Sequence, residues 1–226
     1  MSCLLDRCEI NSTGIDPSSR KQTMKKILIA FAVGMLVAGS VAAQESPWLV
    51  RARAAHLNMA NTNNTNVADL SVNDKTIPEV DISYFFTKNL AAELILTVPQ
   101  SQTVHVGATD VGMFKHLPPT LTMQYHFTDL QGFKPYVGAG INYTKISSVD
   151  LSRAATALGV NSVSLDNHSF GFAYQVGVDI PLDKQWSINL DVKKIYLKSD
   201  VYANGVSQGT LKLDPVLVGV GVGYRF

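Results

Sequence analysis

The sequence predicts an all-β protein, an eight-stranded antiparallel transmembrane β-barrel with short periplasmic turns and long extracellular loops. Three observations predict it. A secretory signal occupies residues 24–43, a residue period of two runs through most of the chain beyond Gln44, and each alternating segment is apolar on one face and small, polar or charged on the other.

The 226 residues are 46% hydrophobic and 16% charged, too apolar for a disordered chain. The 19 basic and 18 acidic residues form no block of like charge, so no nucleic-acid partner is expected. From Met24 the chain reads MKKILIAFAVGMLVAGSVAAQ, with two lysines, an apolar run, and the small residues Val41 and Ala43 before a cut at Gln44. Gly34, Gly39 and Ser40 interrupt that run, which argues against a spanning helix. Residues 1–23 are polar and aperiodic and are read as a misannotated leader, 24–43 as the signal peptide, and 44–226 as the barrel domain. Both cysteines, Cys3 and Cys8, lie in the leader, so the exported part carries neither disulfide nor thiol chemistry.

The first strand, WLVRARAAHLNMA, starts at Trp48 and alternates least regularly. In the second, Val80, Ile82, Tyr84 and Phe86 oppose Glu79, Asp81, Ser83 and Phe85; in the third, Leu90, Ala92, Leu94 and Leu96 oppose Ala91, Glu93, Ile95 and Thr97. The fourth sets Leu117, Leu121, Met123, Tyr125 and Phe127 against Thr120, Thr122, Gln124 and His126, and the fifth sets Val137, Ala139, Ile141 and Tyr143 against Tyr136, Gly138, Gly140 and Asn142. Phe170 to Ile180 and Trp186 to Val192 repeat the division as the sixth and seventh. The eighth, VLVGVGVGYRF, is the clearest, with valines on one face and Gly219, Gly221, Gly223 and Arg225 on the other. Each is near the roughly 9–11 residues that cross a bilayer at a tilt. Lipid outside and a polar lumen explain the two faces, and closure is required because an open edge in hydrocarbon strands backbone donors and acceptors. A soluble sandwich or lipocalin-like barrel, apolar inside, fits the inward glycines less well. Aromatics at strand ends (Trp48, Tyr84, Phe85, Phe86, Tyr125, Phe127, Phe133, Tyr136, Trp186, Tyr224 and Phe226) are expected to form an interfacial girdle.

Short turns follow strands two, four and six; polar stretches of about 61–76, 99–115, 147–168 and 199–209 follow the odd strands and are expected as long loops. In the third, DLSRAATAL before Gly159 predicts a short helix with a glycine cap.

The runs HLPPTL (116–121), KPYVGAGINYT (134–144), QVGVD (175–179), the LDP of 213–215 and the terminal GYRF resemble the outer membrane protein W family of Gram-negative bacteria. The resemblance covers essentially all of 44–226. It implies an eight-stranded outer-membrane barrel with a narrow, largely apolar interior and passage of small hydrophobic molecules. It also implies an apolar constriction on the third strand and near the start of the sixth, matching Ile95 and Phe170.

From the residues themselves, Arg51, Arg53, Glu79, Asp81, Glu93, Asp179, Asp191, Lys193 and Arg225 are expected to face inward and pair as a charge plug toward the periplasmic end. Leu57, Ile95, Phe170 (or a neighbour, if its strand starts with a bulge) and Leu217 are the expected channel constriction above it. Pro99, Pro118, Pro119 and Pro215 weaken the wall near the outer rim and are candidates for a lateral opening. Tyr224 and Phe226 resemble the C-terminal signal presented to the barrel assembly machinery. His56, His105, His116, His126 and His168 show no metal-binding spacing, although His105 and His116 share one loop region, and no nucleophile pattern accompanies the carboxylates. No enzyme, cofactor or metal is therefore expected. The expected partners are outer-membrane lipid, the assembly machinery and small hydrophobic solutes. The competing function is an interaction barrel whose loops serve as adhesin or as phage or colicin receptor. An apolar cavity continuous from the loops to Ile95 favours transport, and a filled lumen favours the rival.

Overall fold

The computed structural model describes residues 46–226 apart from 68, 129 and 131; the leader and the signal peptide lie outside the described residues. Eight strands close the barrel: β1 (Trp48–Asn58), β4 (Lys75–Phe85), β5 (Leu90–Thr97), β8 (Thr120–His126), β9 (Lys134–Asp150), β11 (His168–Pro181), β12 (Trp186–Ile195) and β15 (Val216–Arg225). All neighbours are antiparallel. β1 is flanked by β4 and β15, and β9 pairs with both β8 and β11, so the sheet returns on itself without an edge. The chain end completes the seam: Phe226 N–H donates to Trp48 O, and Ser46 N–H donates to Phe226 O.

The outward faces are greasy, with Val218, Val220 and Val222 of β15 and Phe172, Tyr174 and Val176 of β11 all about half exposed. At the short-turn end Trp48, Tyr84 and Phe86 form one edge-to-face chain and Trp186, Tyr224 and Phe226 another, with centroids 4.9–5.2 Å apart. Phe85 and Tyr136 are corrections to the expected girdle. Both fall on the inward parity of their strands and are buried inside the lumen, Tyr136 stacking on His126 and Phe85 packing against it at a tilt. In the turn after β11, the Asp183 carboxylate accepts the Gln185 and Trp186 backbone N–H groups at 2.7 Å, which holds it below the usual carboxylate range.

The expected long loops are mostly strand. β6 (Gln100–Val106) and β7 (Thr109–Leu117) form a hairpin continuing β5 and β8, joined at one side by β3 (Leu70–Val72). β13 (Lys198–Ala203) and β14 (Val206–Lys212) likewise continue β12 and β15, flanked by β10 (Val163–Leu165) and β2 (Thr62–Thr65). The Asn204-Gly205 turn carries positive φ at both residues, the geometry a tight hairpin needs. The barrel thus continues outward as two sheet flaps. Helix α1 (Ser152–Leu158) sits in the third long connection; Gly159, at φ 64°, caps it and donates to Thr156 O.

Glycines on the inward face mark close approach. A Cβ on Gly221 would lie 2.1 Å from Ala52 O, and one on Gly140 would lie 1.9 Å from Leu121 O. On Gly219 the nearest atom is the flexible Arg53 Cδ at 3.4 Å. Gly221→Ala is therefore expected to cost at least the upper end of about 1–3 kcal/mol and to abolish most of the fast-migrating folded band in unheated SDS gels. Gly219→Ala should leave that band intact.

Candidate functional site: a sealed lumen beneath an apolar cavity

Inward positions of seven strands converge on one buried polar network. Arg51 of β1 is fully buried and holds Asp179 of β11 through two hydrogen bonds of 3.1 and 2.7 Å, donates to Glu93 Oε1 of β5 at 2.9 Å, and donates to Ser83 Oγ at 3.1 Å. Arg53, two residues on, pairs with Glu79 at 3.1 Å, Asp81 at 2.6 Å, Glu93 at 3.1 Å and Asp191 at 3.3 Å. Lys193 of β12 joins Glu79 at 2.8 Å and Asp191 at 3.6 Å. Glu93 is the hub: its Oε2 also accepts from Gln124 at 2.6 Å, Gln175 at 2.7 Å and Thr122 at 3.4 Å. Tyr136 donates to Asp191 at 2.8 Å, Asn189 donates to Asp179 at 2.8 Å, and the Arg51 guanidinium lies 5.1 Å from the centroid of the Tyr136 ring.

Small residues make room for these groups. Gly221 and Gly223 stand beside Arg53 and Arg51 in the β1–β15 register, and a Cβ on Gly177 would collide with the Tyr136 ring at 2.4 Å. The inward glycines are therefore filled by neighbouring polar side chains. Sequence reasoning placed Ser83, Gln124, Asn189 and Gln175 on inward faces without assigning them to the plug, and it assigned Tyr136 to the lipid interface. Their shared signal was inward parity on charge-bearing or glycine-rich strands. Arg225 sits lower, at the mouth, its guanidinium 4.3 Å from the centroid of Phe85 and its Nε donating to Ser46 O at 3.0 Å.

The network separates the space below it from the space above. A vestibule of about 50 Å³ at the short-turn end is lined by Phe85, His126, Asp179 and Arg225. A void of about 20 Å³ on the other side is lined by Leu57, Ile77, Glu79, Ile95, Thr97, His116, Pro118, Pro215 and Leu217. No residue lines both; Glu79 roofs the network and Asp179 floors it. Leu57, Ile95 and Leu217 thus share one constricted space. Phe170 does not join them. It keeps the outward parity of β11, which starts without a bulge, and is 59% exposed, so it belongs to the lipid-facing surface.

Farther out, between the flaps, lies a cavity of about 140 Å³ lined almost entirely by apolar side chains, among them Val104, Phe114, Ile146, Leu151, Val201 and Leu211. Most of these residues lie within or at the edge of stretches whose sequence reads as loop, so no periodic pattern announces the cavity. The expected continuous apolar space is divided, since the cavity and the lower void share no lining residue. An apolar enclosure of this size stays dry and admits a molecule about as large as a single aromatic ring.

The wall is interrupted at the level of the lower void. The β5–β8 ladder ends at Ile95↔Thr120, and β6–β7 resumes only at Gln100↔His116, leaving Val98, Pro99, Pro118 and Pro119 outside both ladders. The β4–β5 ladder stops at Glu79↔Thr97. Pro78 O faces that side, accepting from Thr97 Oγ1 at 2.7 Å, so the N–H missing from Pro78 is the one that would have continued the ladder. On the β9 side the wall is unbroken: Tyr143 N–H donates to Pro119 O at 3.1 Å, and Asn142 Nδ2 donates to Pro118 O and Pro119 O at 3.3 and 3.2 Å. Between Lys194↔Val216 and Lys198↔Lys212 the ladder is irregular around Pro215 but stays bonded, Ile195 N–H donating to Pro215 O at 3.1 Å and Leu213 N–H to Leu197 O at 2.8 Å. His105 and His116 occupy opposite ends of the β6–β7 hairpin, and among the described residues no group of three or more His, Cys, Asp or Glu is arranged to hold a metal.

The sequence profile of the OmpW family matches residues 37–226. The chain belongs to the OmpW family. It is 47% identical over 195 residues to the outer-membrane protein y4mB of Sinorhizobium fredii, covering 82% of each chain. It is 34% identical over 215 residues to outer membrane protein W of Escherichia coli K12, covering 90% of this chain and all of that one. The crystal structure of OprG from Pseudomonas aeruginosa shares its fold at a TM-score of 0.68 and 23% identity, over 83% of this chain and 99% of that one. The protein is thus an outer-membrane β-barrel, with short turns at the periplasmic end and the flaps outside.

Removing one cation from the network leaves carboxylates buried and unpaired. Arg53→Met is expected to destabilise the barrel by about 3–5 kcal/mol, read as a lowered urea midpoint for unfolding from lipid vesicles.

Proposed function

We propose that this OmpW-family barrel passes small hydrophobic molecules from the outside into the membrane without covalent chemistry. The solute enters the apolar cavity between the flaps, displaces the side chains that divide it from the lower void, reaches the constriction at Leu57, Ile95 and Leu217, and leaves sideways into the outer leaflet through the wall around Pro99, Pro118 and Pro119. Pro215 lines the void at the same height, in a stretch of wall that stays bonded. One observation carries this reading: the void at the constriction is itself bounded by Ile95, Thr97 and Pro118, the residues at which the ladder breaks. Passage straight to the periplasm is opposed by the plug, where a solute would have to part ion pairs that no water replaces. Sideways, it meets Val80, Leu96 and Val98, all exposed to lipid. Tyr224 and Phe226, at the end of the closing strand, serve in this proposal as the segment handed to the barrel assembly machinery.

Two measurements on the protein reconstituted in liposomes test it. The unmodified barrel is expected to show little ion conductance together with measurable uptake of a small apolar probe; inactivity in both assays would instead favour a role as a surface-interaction barrel. Pro118→Ala with Pro119→Ala, which restores backbone donors to the wall, is expected to cut probe uptake severalfold while conductance stays low. Unchanged uptake in that variant would overturn sideways exit.

A further inference from the structure

Where the apolar cavity gives way to the void beneath it stands a seam of buried polar groups with no hydrogen-bond partner within the protein: Ser199 Oγ on the cavity wall, His116 Nδ1 on the void wall, and both amide atoms of Gln102 beside Phe114. All three side chains are almost fully buried, Gln102 at 1% exposure, Ser199 and His116 at 3%. Their heights follow from the ladders. Ser199 faces inward between Leu197, which lines the lower void, and Val201, which lines the cavity. On the facing flap Gln102 stands opposite Phe114 of the cavity wall, and His116, opposite Gln100, lines the void. A lumen that only stored hydrocarbon would gain by having leucine at these places, because unpaired polar atoms in a dry enclosure are disfavoured.

We infer that the solute is an apolar body bearing one neutral polar head, an alcohol or a carbonyl compound, whose head docks on Gln102 and Ser199 while the body fills the cavity. This rests on the transport reading above and adds the class of solute. The seam offers donors (Gln102 Nε2, Ser199 Oγ–H) and acceptors (Gln102 Oε1, Ser199 Oγ), the complement a hydroxyl needs. A carboxylate head does not fit. The charged group lining the space below is Glu79, and the neighbouring cations Arg53 and Lys193 are already tied to it.

The test compares ethylbenzene with its near isostere benzyl alcohol on the full barrel in lipid nanodiscs. The ratio of their affinities is expected to shift about tenfold against benzyl alcohol in Gln102→Leu and severalfold in Ser199→Ala, as for one lost hydrogen bond. Partition into lipid cancels when this ratio is compared between variants, and ethylbenzene affinity near the unmodified value reports an intact cavity. In the unmodified protein, benzyl alcohol but not ethylbenzene is expected to shift the Gln102 side-chain amide resonances. An unchanged ratio in both variants, or equal shifts from the two probes, would overturn the assignment and leave the seam to water. Failure of ethylbenzene itself to bind or to cross would overturn the transport reading instead.

Discussion

Glu93 is the constraint on which the rest of the lumen depends. Its carboxylate is fully buried in a barrel wall that faces lipid, and it survives there because two guanidiniums and three side-chain donors converge on its two oxygens. Those donors come from β1, β8 and β11, so satisfying one charge fixes three strands against β5. The same requirement explains the glycines of β15: the Arg51 and Arg53 stems need the space that Gly221 and Gly223 leave.

The plug has a consequence for traffic. Three cations and five carboxylates interlock across a lumen only wide enough for side chains, so the polar half of the barrel is occupied by the groups that hold it together. Free space is displaced outward, above the break in the ladders, where the wall opens into two flaps and apolar side chains turn inward. Stability is concentrated at the periplasmic end and accessible volume at the outer end. On the proposed route a solute entering from outside meets a dry cavity, a polar seam, a narrow void and then the broken ladder, in that order.

Much of the barrel was legible in the sequence because a membrane strand separates its two environments with a period of two. Where both lipid and a polar lumen act, as from Val80 to Phe86 or Val216 to Phe226, each residue declares its side. The inward charges were legible for the same reason. Beyond the prolines the signal fails, because strands such as β6 and β13 face an apolar cavity on one side and water on the other while carrying polar residues at both parities. Gln102 and Ser199 are almost fully buried there in a context that reads as a loop. Phe170 would face inward only if β11 began with a bulge; the strand pairs regularly with β9 from His168 onward, so parity turns Phe170 to lipid.

The sequence by itself determined the number of spanning strands, which face of each meets lipid, and the charges that must be neutralised inside, since these follow from local alternation and from the cost of unpaired groups in hydrocarbon. Only the tertiary structure decided which carboxylate each guanidinium takes, that Tyr136 and Phe85 meet His126 inside the lumen, and that the loops are flaps enclosing a cavity. Those outcomes depend on contacts between residues far apart in the chain. Arg51 and Asp179 meet across 128 positions through strand register, which no local pattern encodes.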